Sequence, residues 1–321
     1  MTFKILSDFD GVWTNPGDEA AGVQTLMITE TARLSGIDRK VVAEDFRVFG
    51  EIALGTPGAH GWAPDGRITA YVDEDPFCLG NSMAGVLDGL ASGQLPLAGC
   101  ALGSVDGALL PRTTVYAGAI AARGFANPSA FADHCFLEAT AAFVRDHPPA
   151  LVPGAKAIAE RFLAMGADVV VVSNSGEEKI LNWLRDADIP AYSVHDESRP
   201  LDEPCFRVRG SAAKFALGDG HESITVSGRN IYVDRPKYRA VLEIENADFV
   251  IGDVFSLDLA LPHNLRNAGE SWAPRELVLR RHNYTPEWVS ENRADGAIDH
   301  VVDSLDDLCD LCETRLSESP S

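Results

Sequence analysis

The sequence FKILSDFDGV, residues 3–12, combines a short apolar run with two acids. The apolar run is typical of a strand that is covered on both faces of a sheet. Asp8 and Asp10 follow at the point where such a strand would end, and Gly11 comes next. Ligands of open α/β sheets bind beyond the carboxyl ends of the strands, so this stretch predicts a strand that delivers two carboxylates to a binding site.

Strand and helix patterns alternate from residue 153 to the end of the chain. The strand patterns are DVVVVS at 168–173, DFVIGD at 248–253, ELVLRR at 276–281 and AIDHVV at 297–302. Stretches with apolar residues at helical spacing separate them. This alternation predicts an α/β domain with a doubly wound parallel sheet, built from residues 1–16 and 150–321.

Two regions depart from that alternation. Residues 17–149 contain helical stretches around 26–49 and 130–146, together with loops rich in Gly and Pro. We therefore predict an inserted and mostly helical domain after the first strand. Residues 191–235 are irregular, with strand-like stretches that predict a hairpin but no assigned role.

Composition limits the classes of function. The chain has 321 residues and is 45% hydrophobic, which is enough for a sizeable core. Its formal net charge of −21 disfavours nucleic acid and anionic lipid as partners. No apolar stretch approaches the roughly 20 residues of a membrane span, and the start of the chain lacks a signal-peptide pattern. We expect a cytoplasmic protein that acts on a small molecule, with its oligomeric state left open.

The six cysteines predict neither a metal site nor a disulfide framework. Four are scattered, whereas Cys309 and Cys312 form a single C-x-x-C motif. On a helix this spacing places both thiols on one face, and a zinc site would need a second pair of ligands. We interpret the motif as core packing in a reduced protein.

Polar side chains follow three of the predicted strands: Asp8, Asp10, Ser173, Asn174, Asp253 and Asp258. Carboxylate oxygens without His or Cys suit a hard cation such as Mg²⁺. One carboxylate can attack phosphorus directly, and a second can protonate the leaving alcohol and then activate water. A hydroxyl and backbone N–H groups at the start of a helix can bind the phosphoryl oxygens.

These motifs resemble those of the haloacid dehalogenase superfamily. SDFDGVWT is similar to the first motif of that family, VVVVSNS to the second and VIGDVFSLD to the fourth, in the correct order. The resemblance implies a Rossmann-like sheet, a Mg²⁺ cofactor and a cap domain inserted between the first and second motifs. It also implies a hydrolase, a phosphatase acting on a small phosphorylated metabolite.

The resemblance further implies a role for each matching residue. Asp8 would be the nucleophile, and Asp10 would be the general acid and base. Ser173 and Asn174 would bind phosphate. The implied metal ligands are Asp8, Asp10 through its backbone carbonyl, Asp253 and Asp258.

The third motif of the family is a lysine, for which the sequence offers two candidates. Lys237, in VDRPKYRAV, opens the helix that leads to Asp253, and we predict it as the catalytic and phosphate-binding lysine. Lys214, in GSAAKF, is the alternative.

Asp10 also bears on the reaction that the resemblance implies. Dehalogenases of the superfamily lack an acid at this position, so Asp10 implies phosphoryl transfer from an oxygen leaving group. Phosphonate cleavage would need a lysine in the insert, where only Lys40 is present, in the pattern of a solvated helix face. A phosphomutase or other phosphotransferase with the same residues, or a non-catalytic binding protein on this fold, are the alternatives.

Several residues are candidates to select the substrate or simply to pack. Trp13 either packs near the exit to the insert or lines the pocket. His60 and Trp62 either contact a substrate or belong to an ordinary surface loop. Candidate anchors for a second anionic group are Arg47, Arg67, Arg112 and Arg123.

Overall fold

A computed structural model shows two compact units. The residues that the structure describes are 3–63, 66–95, 107–197 and 204–318. The first unit, here called the core unit, comprises Met1–Asn15 and Pro148–Ser321. The second, the insert unit, comprises Pro16–His147.

Strands and helices are numbered in chain order. The strands are β1 (Lys4–Ser7), β2 (Gly61–Trp62), β3 (Ala70–Tyr71), β4 (Asp168–Val172), β5 (Ala191–Ser193), β6 (Phe206–Arg209), β7 (Ser223–Val226), β8 (Arg229–Tyr232), β9 (Phe249–Gly252), β10 (Glu276–Arg280) and β11 (His300–Val302). The helices are α1 (Gly17–Ser35), α2 (Arg39–Gly55), α3 (Cys78–Ala91), α4 (Leu109–Ala122), α5 (Pro128–Asp146), α6 (Ala155–Ala164), α7 (Glu177–Asp186), α8 (Pro236–Glu245), α9 (Ala260–Asn267), α10 (Glu287–Ser290), α11 (Arg293–Gly296) and α12 (Leu305–Glu318). A π-helical turn, Phe255–Leu259, precedes α9.

The core unit contains a seven-stranded parallel sheet in the order β11-β10-β9-β1-β4-β6-β5. The strand β1 lies at its centre, with Ile5 opposite Val169 of β4 on one side and Phe249 of β9 on the other. These apolar side chains are buried, as expected for a sheet covered on both faces. The structure thus confirms the predicted α/β class. Because the chain adds strands to both sides of β1, a switch point lies beside this strand, where such sheets bind ligands.

The irregular segment 191–235 contributes two kinds of strand. The strands β5 and β6 extend the edge of the parallel sheet. The strands β7 and β8 form a separate antiparallel hairpin. Ser227 and Gly228 at its turn have φ values of 48° and 75°, the left-handed pair that a tight primed turn requires.

The insert unit is mostly helical, with α1–α5 and a small β2–β3 hairpin. The predicted helical stretch around 26–49 is two helices. Gly36 ends α1 in a left-handed conformation with φ 70°, and the Asp38 carboxylate caps α2 by accepting from the Lys40 amide at 2.9 Å. The exposed Lys40 side chain lies in the first turn of α2.

The sequence pattern did not predict α3, which contains several glycines. Glycine lowers intrinsic helix propensity, but packing against other helices overrides that preference. A Cβ at Gly80 would lie 3.2 Å from Sδ of Met27 in α1, so the glycine lets the two helices approach closely.

A buried ionic cluster joins α2 to α4 in the insert unit. Arg112 donates to Asp45 through Nε at 2.6 Å and Nη2 at 2.5 Å. The hydroxyl of Tyr116 donates to the same carboxylate at 2.6 Å. Asp45 is only 2% exposed, so this arginine serves to balance a buried charge inside the unit.

We expect Arg112→Leu to destabilise the protein by about 3–5 kcal/mol, because it leaves the Asp45 charge buried without its cation. Urea unfolding would measure the effect. Arg47→Leu is the matched control, since Arg47 is exposed and pairs with Glu44 and Glu51 on the surface of α2. Equal midpoints for the two variants would contradict the expectation.

The C-x-x-C motif packs as predicted. Cys309 and Cys312 lie on α12, and both are fully buried free thiols. Within the described part of the chain, none of the helices has the length and apolar character of a membrane span.

Candidate active site

Three buried carboxylates meet at the carboxyl edge of the sheet. Asp8 follows β1, Asp253 follows the neighbouring strand β9, and Asp258 lies in the π-helical turn after it. Each offers an oxygen, and these oxygens all lie within 4.8 Å of one another. The structure therefore brings together three of the four predicted metal ligands through their side chains.

Two glycines permit this close approach. Gly11 has φ 81°, and a Cβ there would lie 2.1 Å from Oδ2 of Asp253. A Cβ at Gly252 would lie 2.3 Å from Cβ of Asp258. Any larger residue at either position would push a carboxylate out of the cluster.

The lysine beside the cluster is Lys214. Its Nζ lies 2.8 Å from Oδ1 of Asp8 and 2.8 Å from Oδ1 of Asp258, and the side chain is 1% exposed. Lys237, the lysine predicted for this place, lies exposed in the first turn of α8. The structure corrects that prediction in favour of the alternative.

Loop contacts explain how Lys214 reaches the site from the irregular segment. The Lys214 amide donates to Oδ1 of Asn174 at 2.7 Å, and the Ala212 amide donates to the carbonyl of Ser173 at 2.9 Å. Ala213, between them, has a left-handed φ of 51°. The loop that carries Ala212 and Lys214, here called the lysine loop, is thus hydrogen-bonded to the loop after β4. This conformation has no periodic sequence signal, which is why the pattern favoured Lys237.

The segment around Lys237 does support the site, but through its neighbours. The buried guanidinium of Arg235 donates to the carbonyls of Ser256 and Leu257 at 2.9 and 2.8 Å. The Tyr238 hydroxyl donates to the carbonyl of Asp258 at 2.9 Å. Together they hold the turn that carries this acid.

The electrostatics of the cluster are strongly perturbed. The pKa of Asp8 is raised to about 7, mainly by burial; Lys214 acts to lower this pKa, while the nearby charges of Asp258 and Asp10 act with burial to raise it. For Lys214, burial acts to lower the pKa, but Asp258 and Asp8 outweigh it and hold the pKa above its usual value. Three carboxylates and one ammonium leave a net formal charge of −2 when all are ionised.

The donor set fits Mg²⁺. Oδ1 of Asp8 is buried and, among the described residues, has no partner in hydrogen-bond geometry, although Nζ of Lys214 lies at ion-pair distance. Three carboxylates without His or Cys suit a hard cation, and a divalent cation would balance the excess negative charge. Asp8, Asp253 and Asp258 are the side chains that would hold it.

Asp10 faces a different set of partners. Its Oδ2 accepts from Ser175 Oγ at 2.6 Å and Ser173 Oγ at 3.3 Å, and its Oδ1 accepts from Lys179 Nζ at 3.1 Å. Sequence reasoning missed Ser175 and Lys179. A signal existed for the second, because Lys179 lies in the first turn of the helix after the second motif.

The predicted phosphate-binding residues occupy this edge as well. Ser173 is buried, and its hydroxyl accepts from the Ser175 amide at 3.1 Å. Asn174 holds the backbone of the lysine loop through Oδ1. Contact of either residue with a phosphoryl group stays a prediction.

The loop after β10 also contacts the cluster. The Tyr284 hydroxyl donates to Oδ2 of Asp253 at 2.7 Å, and Nε2 of His282 contacts the carbonyl of Gly11. Sequence reasoning did not find these residues, because nothing in RRHNYT indicates an acid partner.

The aromatic candidates pack within their own units. Trp13 is 1% exposed, its Nε1 donates to Ser7 Oγ at 2.9 Å, and its ring contacts Phe206 edge-on. Trp62 packs edge-on against Phe136 of α5. A contact of His60 or Trp62 with a substrate stays a prediction.

The four arginine candidates differ in their surroundings. Arg112 balances the buried Asp45, and Arg47 is paired along α2. Arg123 is exposed at the end of α4, and Arg67 is half-buried. Substrate anchoring by any of them stays a prediction.

No family model matches the chain, and no curated protein matches its sequence. Among solved structures, CbbY from Rhodobacter sphaeroides in complex with phosphate is 14% identical, with 96% of each chain covered and a TM-score of 0.42. A haloacid dehalogenase-like family hydrolase from Streptococcus pneumoniae is 10% identical, with 97% of this chain and 98% of that chain covered and a TM-score of 0.39. These values are too low to transfer an activity or a substrate, so both have to be inferred from the site itself.

Proposed function

We propose that the protein is a Mg²⁺-dependent phosphomonoester hydrolase of the haloacid dehalogenase type, acting on a small phosphorylated metabolite through an aspartyl-phosphate at Asp8. One observation carries the proposal. Asp8, Asp253 and Asp258 lie together with a buried ammonium at the carboxyl edge of the sheet, and Asp10 stands two residues from the nucleophile. The three motifs of the sequence, each at a strand end, support it.

The first half of the reaction is transfer to the protein. A carboxylate oxygen of Asp8 attacks phosphorus, and the bond from phosphorus to the substrate oxygen breaks. Asp10 gives its proton to the departing oxygen, which leaves as an alcohol. Lys214 faces Asp8 and balances the charge of the phosphoryl oxygens.

The second half releases phosphate. Asp10, now a carboxylate, takes a proton from water as the water oxygen attacks phosphorus of the aspartyl-phosphate. The acyl phosphate bond breaks, so Asp8 returns as a carboxylate and inorganic phosphate leaves. The hydroxyl of Ser175 and the ammonium of Lys179 hold Asp10 at this place.

The cation has a limited part in this scheme. When bound, Mg²⁺ supplies charge stabilisation for the phosphoryl group and orients it toward the nucleophile. Asp8, Asp253 and Asp258 would hold it through carboxylate oxygens, with the backbone carbonyl of Asp10 as a further ligand implied by the family resemblance.

We expect the purified protein to release inorganic phosphate from an aryl phosphate in the presence of Mg²⁺. A chelator should abolish the release, and excess Mg²⁺ should restore it, because the acidic cluster needs the cation to accept an anionic substrate. A phosphate-release screen over phosphorylated metabolites then ranks substrates. Release at the same rate with chelator present would overturn the metal requirement.

Product analysis separates this proposal from the alternatives. A phosphosugar that is isomerised without free phosphate would indicate a phosphomutase on the same site. Normal Mg²⁺ binding without turnover of any ester in the screen would indicate a binding protein. Either result would reject the proposed hydrolysis.

A further inference from the structure

The loop after β10 is a compact unit in its own right. The amide of His282 donates to Oγ1 of Thr285 at 2.9 Å, which closes a short turn. The rings of His282 and Tyr284 stack, with centroids 4.8 Å apart and planes 5° from parallel. Both side chains are only partly exposed. This packing restricts the rotation of both rings, so their polar atoms have defined directions.

Those polar atoms contact one carboxylate of the cluster and one backbone carbonyl next to the cluster. The Tyr284 hydroxyl donates to Oδ2 of Asp253 at 2.7 Å. Nε2 of His282 contacts the carbonyl of Gly11, in the turn that follows the nucleophile. Gly11 itself lies against the same Oδ2, since a Cβ there would approach it to 2.1 Å. Asp253 is therefore enclosed between the loop after β1 and the loop after β10.

We propose that Tyr284 is a positioning residue for the cation: its hydroxyl fixes the rotation of the Asp253 carboxylate. This inference rests on the proposed function, because it concerns the same metal site. With Oδ2 committed to Tyr284, the rotation of the carboxylate is fixed, and Oδ1 has a defined position relative to Asp8 and Asp258. Stacking on His282 keeps the hydroxyl in place without help from the cation.

The expected loss of Mg²⁺ affinity follows from the role of groups that hydrogen-bond to metal ligands. Groups that hydrogen-bond a metal-ligating side chain orient it, and their loss typically lowers metal affinity about 10–100-fold. Without the hydroxyl, the Asp253 carboxylate loses one of the contacts that fix its rotation, and binding the cation must then restrict it further. The hydroxyl donates to a proposed metal ligand and has no part in the proposed proton and phosphoryl transfers, so the chemical step itself should change little.

The test compares Tyr284→Phe with the wild type by calorimetric titration with Mg²⁺ alone. The variant keeps the ring and its stacking on His282, and thermal unfolding checks that it is folded. We expect a 10–100-fold weaker Mg²⁺ affinity, a smaller rise of the unfolding temperature on adding Mg²⁺, and a kcat within about threefold of wild type at saturating Mg²⁺. Tyr232→Phe, in β8, is the matched control and should bind Mg²⁺ normally.

The outcomes separate this inference from the function on which it rests. Equal Mg²⁺ affinity of Tyr284→Phe and wild type would overturn the role of Tyr284 and leave the phosphatase proposal standing. A kcat that stays low at saturating Mg²⁺, with normal affinity, would place Tyr284 in the chemical step instead and also overturn the inference. Absence of Mg²⁺ binding by the wild type would reject both proposals together.

Discussion

Asp8→Asn should lower the rate of phosphate release by about 10⁴-fold or more, because removal of a nucleophile eliminates the covalent path. An amide has nearly the shape of the carboxylate but is a poor nucleophile toward phosphorus. The measurement is release of phosphate from an aryl phosphate at saturating Mg²⁺. Acid-quenched wild-type protein should carry phosphate at Asp8 that hydroxylamine removes, and the variant should carry none.

The same substitution should leave the metal-free protein at least as stable as the wild type. The Asp8 carboxylate is buried, and burial of a charge opposes folding, which is the cause of its raised pKa. A neutral amide avoids that cost, and thermal unfolding would show it. Asp186→Asn, at an exposed position near the end of α7, is the matched control and should retain full activity. Full activity of Asp8→Asn would rule out the aspartyl-phosphate.

Lys214→Met should lower activity by about 10²–10³-fold, whereas Lys237→Met should leave it unchanged. The first variant removes the ammonium that contacts Asp8 and Asp258, and a fixed cation at such a site typically contributes a factor of this size. The second alters an exposed residue of the same type. Phosphate release measured side by side would decide which lysine serves the site.

Loss of Lys214 also leaves acids buried without their cation, so the metal-free variant should unfold at a lower temperature. Lys214→Arg separates that effect from the catalytic one. It keeps the positive charge beside the acids, so we expect a smaller fall of the unfolding temperature than for Lys214→Met. Its larger, planar group cannot reproduce the contacts of the ammonium, so activity should still be reduced at least tenfold. Equal activity of the Lys214 and Lys237 variants would contradict the assignment.

The acids of the site could be predicted from the sequence because strands determine where they lie. Asp8, Asp253 and Asp258 follow apolar runs, and parallel strands place their carboxyl ends at one edge. The sheet itself was predictable for the same reason. Strand ends that shift by one or two residues do not move an acid to the other edge.

The remaining site residues depend on loop conformations that leave no periodic signal. Lys214 arrives through a left-handed residue and a side-chain contact with Asn174. Tyr284 arrives through a turn closed by Thr285. The sequence preference for Lys237 rested on a helix start, a feature that indicates where a helix begins and not which side chain turns inward.

The central position of β1 has a consequence for synthesis of the chain. Ile5 pairs with Val169 on one side and Phe249 on the other, so β1 is synthesised before both of its partner strands, which follow more than 160 residues later. At roughly 5–20 residues per second, β9 emerges on the order of ten to fifty seconds after β1. During translation Asp8 therefore follows a strand that still lacks its partners, and the proposed site cannot assemble before β9 has been synthesised.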